Sequence, residues 1–119
     1  MRTMTTGGTG LAVRLFLLQR LTAMILAPLV LIHVALIIYA VQDGLDTGEI
    51  LARTRGSWFW AGFYGLFVIA AAVHAGIGLR NIVEESTSLP RRVVDLAAGA
   101  AALLLLILGL RAVAAVTAL

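Results

Sequence analysis

The sequence predicts an all-α integral membrane protein of three transmembrane helices, and three observations carry that prediction. Hydrophobic residues make up 61% of the 119 residues and charged residues 13%, against roughly half and a quarter in soluble domains. Mean hydropathy is +1.04. The six acidic and nine basic residues, the latter all arginine, leave three long stretches almost free of charge. That composition excludes a soluble enzyme. Cysteine is absent, which excludes disulfides, iron–sulfur ligation by this chain and a thiolate nucleophile. The basic surplus forms no run interleaved with aromatics, so nucleic acid is not an expected partner.

The chain reads as one domain, 1–119, with spans at about 15–41, 58–80 and 91–116. Leu21–Val41 and Gly56–Leu79 carry no charge, and each exceeds the roughly 20 helical residues that cross a hydrocarbon core of about 30 Å. The third is uncharged from Leu96 to Leu110; Arg111 is expected to snorkel to the far interface while the apolar tail completes the crossing. Lipid offers unpaired backbone amides no partner, so each span must be a helix. The first apolar run is too long for a cleaved signal peptide. Pro28 inside it is expected to kink the helix. Gly7–Gly10 reads as a flexible tail. Thr47–Leu51 is expected to add a short interfacial helix, and Ser86–Pro90 a turn with Ser88 capping the third span and Pro90 in its first turn.

Arg2, Arg14, Arg20, Arg80, Arg91 and Arg92 lie on one side of the predicted membrane, and Arg53, Arg55 and Arg111 on the other. The positive-inside rule therefore predicts a cytoplasmic N-terminus, with Trp58, Phe59 and Trp60 at the outer interface.

Two histidines, His33 and His74, fall inside predicted spans, where ionisable side chains are costly and usually functional. Neither has a carboxylate at membrane depth, which argues against a proton relay. A neutral imidazole with one free nitrogen can serve as an axial haem ligand. His74 lies about 9 Å from Arg80 along a helix, on a face with Ala70, Ala71 and Gly78 that leaves room for a flat macrocycle. His33 lies roughly 20 Å from Arg20, on a bulkier face and at a different depth. The two cannot ligate one iron together, so each would need a second ligand from another chain. The alternative for both is an interhelical hydrogen bond, with the small residues serving helix packing. Thr22 can bond back to its own helix carbonyls.

Arg20-Leu21-Thr22-Ala23 resembles the Arg-x-Thr/Ser-Ala/Gly that opens the first helix of succinate dehydrogenase membrane anchor subunits. His74-Ala75-Gly76-Ile77-Gly78-Leu79-Arg80 resembles their second-helix haem motif, His-x-x-x-Gly-x-Arg. The likeness covers about residues 14–86. It implies a bundle completed by a second anchor subunit, with His74 an axial ligand of haem b and Gly78 and Arg80 beside the macrocycle and its propionates. It also implies a quinone pocket near Arg20 and Thr22, with Gln19 and the Glu84–Glu85 edge as further polar groups. The sequence departs from the family pattern at Phe16, where many large anchors have Ser, and at Ser86, where many small ones have Tyr. His33 resembles the extra histidine of four-histidine variants and is carried as a possible second-haem ligand.

The resemblance thus implies an anchor of succinate:quinone oxidoreductase or fumarate reductase in the bacterial inner membrane. It would bind haem b, one or two, and quinone, and would pass electrons from an iron–sulfur subunit that is itself served by a flavoprotein. Succinate chemistry would not reside in this chain. The competing readings are a b-type cytochrome subunit of another dehydrogenase and a cofactor-free structural bundle.

Overall fold

A computed structural model of the chain describes residues 6–44 and 46–117. Four helices follow in order: α1 (Thr6–Gln42), α2 (Thr47–Thr54), α3 (Trp58–Ser86) and α4 (Arg91–Thr117), with no strand among the described residues. The three long helices are apolar enough to cross a membrane, and the molecule is a membrane helical bundle about 60 Å long. Within their most apolar windows only 6%, 22% and 11% of residues are buried in order along the chain. The chain alone therefore leaves most of its apolar surface to lipid or to further helices, with α3 the most enclosed.

The helices run longer than the expected spans. The segment Gly7–Gly10, expected as a flexible tail, lies within the helix that begins at Thr6. Elongating an existing helix adds one hydrogen bond per residue fixed, which offsets a cost of about 1 kcal/mol per glycine. From Gly10, α1 spans 33 residues, roughly 50 Å, so it overshoots a hydrocarbon core of about 30 Å. It continues without a break through Pro28. At the same end of the bundle as the α1 N-terminus, α3 extends past Arg80 to Ser86, where the Thr87 N–H closes it on the Val83 carbonyl (3.0 Å).

The α1–α2 and α2–α3 turns use Gly44 (φ +85°) and Gly56 (φ +71°), left-handed conformations that a side chain would strain. Asp46 caps the expected interfacial helix α2, accepting from the Gly48 amide at 3.0 Å, and Ser57 caps α3 through the Trp60 amide at 3.2 Å. The cap of α4 is a correction. Pro90, not Ser88, occupies the residue before the helix, its carbonyl accepting from the Val94 amide at 3.1 Å. Proline suits a position with no amide to donate, and its ring fixes φ near the helical value. Thr54 and Gly56 tie α2 to the end of α4: Thr54 Oγ1 donates to the Val116 carbonyl and the Gly56 amide to the Thr117 carbonyl, both at 2.6 Å.

Two seams organise the bundle. Against α4, α3 approaches so closely that a β-carbon on Gly76 would lie 2.8 Å from the Ala102 methyl, and one on Gly109 would collide with Val68. Against α3, α1 presents a stripe of less-exposed residues, Leu15, Gln19, Thr22, Leu26, Leu29, His33, Leu36 and Ala40. The alternating spacing of four and three is a heptad repeat, the pattern of helices packed at a shallow left-handed angle. Three of the eight are polar, and they carry the site.

Candidate functional site

The α1 stripe delivers Thr22 to His74. Thr22 is 6% exposed, and its hydroxyl lies 2.8 Å from the Leu18 carbonyl oxygen, 3.1 Å from that of Gln19 and 3.1 Å from His74 Nδ1 across the seam. The expected bond back to its own helix is therefore present, and the same oxygen also meets the imidazole. His74 itself is half-buried at the α1–α3 edge, with Ala71 and Gly78 half-buried on the same face. Ala70, by contrast, is buried within the chain, so the open part of the His74 face is narrower than the sequence suggests.

Gln19 sits one turn towards the arginine-rich end. Its carboxamide packs on Gly78, Nε2 lying 3.5 Å from where a β-carbon would be, while Oε1 is buried with no hydrogen-bond partner among the described residues. A buried acceptor without a donor is uncommon in folded proteins.

At the same end, Arg80 is held by two carboxylates. Its Nε donates to Asp95 Oδ1 at 2.7 Å and its Nη1 lies 3.3 Å from Glu84 Oε2, while Arg91 reaches Glu84 Oε1 at 3.4 Å. Five N–H donors leave Arg80 with groups free beyond these contacts. Asp95, at the start of α4, was not singled out in the sequence; its signal is that it is the one acidic residue after the Ser86–Pro90 turn. Arg20 lies apart from this group. Two residues from Thr22 it projects to nearly the opposite side of α1, exposed, with its guanidinium 5.6 Å from the Phe16 ring. Within this chain, then, His74, Thr22 and Gly78 come together, Arg80 stands about 9 Å beyond His74 along α3, and Arg20 faces outward.

His33 occupies the opposite half of the same stripe. It lies edge-on to Phe67 and Tyr64, at 5.4 and 5.9 Å between centroids. Eleven residues from Thr22, it stands roughly 16 Å away along the bundle. A cavity of about 350 Å³ opens beside it, lined by Tyr64, Phe67, Val68 and Gly109 and by Ile50 and Thr54 of α2. His33 Nδ1 is buried and has no hydrogen-bond partner among the described residues. Tyr64, which stacks on Trp60 at 5.7 Å, is the neighbour that the sequence did not reveal. Among the described residues no three His, Cys, Asp or Glu side chains gather as a metal site; this chain can offer a metal one histidine at each of two depths.

Residues 2–117 match the family described as succinate dehydrogenase/fumarate reductase transmembrane subunit. No curated protein and no solved structure matches the chain.

Proposed function

The chain belongs to the succinate dehydrogenase/fumarate reductase transmembrane subunit family, and from that premise we propose that it anchors the soluble subunits, binds haem b through His74 and helps to form a quinone site. The observation that carries the haem reading is the Thr22–His74 contact. It occupies Nδ1 at 3.1 Å and leaves Nε2, at a half-buried edge, without a hydrogen-bond partner among the described residues. A ligating imidazole whose second nitrogen is hydrogen-bonded is the usual arrangement at metal sites. Haem bound there supplies one-electron transfer between the iron–sulfur subunit and quinone.

The other residues divide the remaining work. The half-buried Ala71 would leave part of the His74 face to a macrocycle, Gly78 being covered by the Gln19 carboxamide, and a second anchor subunit would supply a further ligand. Arg80 keeps N–H donors for propionates while Asp95 and Glu84 hold its guanidinium in place. Gln19, whose carboxamide oxygen has no partner among the described residues, and Arg20 would be the polar groups that α1 offers a quinone near the arginine-rich face, where it would accept protons. His33 is a second ligand position, supported by its unpaired buried nitrogen beside the 350 Å³ cavity. It would serve a second haem.

Affinity purification through a tag on this chain tests the reading. The iron–sulfur and flavoprotein subunits should co-elute and reduce a soluble quinone analogue with succinate. A chain that purifies without them, from cells that express them, would contradict it.

A further inference from the structure

We infer that Thr22 is a positioning residue that fixes the tautomer of His74, holding its proton on Nδ1 and leaving Nε2 with a bare lone pair. The inference rests on the haem reading for its purpose but not for its geometry. Thr22 has one hydroxyl hydrogen and three neighbours that could take it: the Leu18 carbonyl at 2.8 Å, the Gln19 carbonyl at 3.1 Å and His74 Nδ1 at 3.1 Å. Carbonyl oxygens only accept. Were the hydrogen turned towards the imidazole, Thr22 Oγ1 and Leu18 O would face each other at 2.8 Å with nothing between them, a repulsive contact. The hydrogen therefore belongs on the carbonyl side, and the hydroxyl oxygen meets His74 as an acceptor. An acceptor at 3.1 Å requires a proton on Nδ1.

Two consequences follow for the ligand. The ring is locked in the tautomer that an iron needs before the iron arrives, so no proton has to move when the bond forms. Its partner is a neutral hydroxyl already spent on a carbonyl, not a carboxylate. Thr22 acts through His74.

The full-length chain, labelled with ¹⁵N-histidine in lipid bilayers, gives only two imidazoles to assign, and His33→Gln separates them. In the wild-type chain the His74 signals should be those of a protonated Nδ1 and a bare Nε2. Thr22→Ser should keep them, and Thr22→Val should shift the ring towards the Nε2–H form. In the purified complex, transfer of haem to an acceptor globin should be about 10- to 100-fold faster for Thr22→Val, with the ferric low-spin resonance shifted, and Thr22→Ser should restore both. A wild-type ring protonated on Nε2 would overturn the inference whether or not any variant folds. So would a Thr22→Val chain with an unchanged tautomer. A complex without haem would remove the haem reading, while the nitrogen spectra would still decide the role of Thr22.

Discussion

Gly76 and Ala102 meet across the α3–α4 seam with no room for one more carbon: a β-carbon on the glycine would stand 2.8 Å from the alanine methyl and 3.6 Å from the Ala98 carbonyl. Gly76 lies two residues from His74 in the sequence, so the same turn of α3 that packs on α4 presents the imidazole to α1. The tight seam therefore fixes the rotation of α3 about its axis, and with it the direction of His74.

Gly76→Ala should force the helices apart and destabilise the assembly by about 1–3 kcal/mol, the usual cost of overpacking. Thermal unfolding of the purified complex measures it. A variant as stable as wild type would show that the seam can relax at no cost.

Gly109→Ala should be destabilising for the same reason, because its β-carbon would strike the branched side chain of Val68. Here a compensating change is available. In a Val68→Ala background the Gly109→Ala penalty should largely vanish, which a double-mutant cycle on melting temperature would reveal as coupling.

Thr54 is 4% exposed and donates to the Val116 carbonyl at 2.6 Å. Thr54→Val keeps the shape but leaves that carbonyl unpaired, costing about 1–3 kcal/mol. The effect should be local. Amide exchange should accelerate in α2 and the last turn of α4, with the α1–α3 seam around Thr22 unchanged.

Much of this was legible in the sequence, and for a simple reason. Charge spacing alone marks where lipid must lie, so the three spans were readable from where the arginines fall, and the short connector helix from the segment Thr47–Leu51. The ends were not. Pro90 rather than Ser88 precedes α4, and α1 continues through Gly7–Gly10, because capping and elongation depend on local hydrogen bonds that hydropathy ignores. The partners of the site residues were also hidden. Each span is apolar on every side, so no amphipathic face announced which residues meet α3. The signal was present in the heptad stripe through Gln19, Thr22 and His33, a polar thread at four–three spacing. Asp95 became Arg80's partner only when α4 was laid beside α3.

The absence of native cysteine makes membrane orientation directly testable. With the N-terminus cytoplasmic, a cysteine introduced by Asp43→Cys should react with an impermeant thiol reagent in right-side-out vesicles. One introduced by Ser88→Cys should react only after the membrane is opened. The reverse pattern would invert the topology and place the quinone site on the other face.

The most direct measurement is the reduced-minus-oxidised visible spectrum of the purified complex, recorded for wild type, His74→Ala and His33→Ala. We expect b-type bands of a bis-histidine haem in wild type, lost in His74→Ala and reduced in part in His33→Ala. Full wild-type bands in a folded His74→Ala complex would contradict the assignment of His74 as an axial ligand.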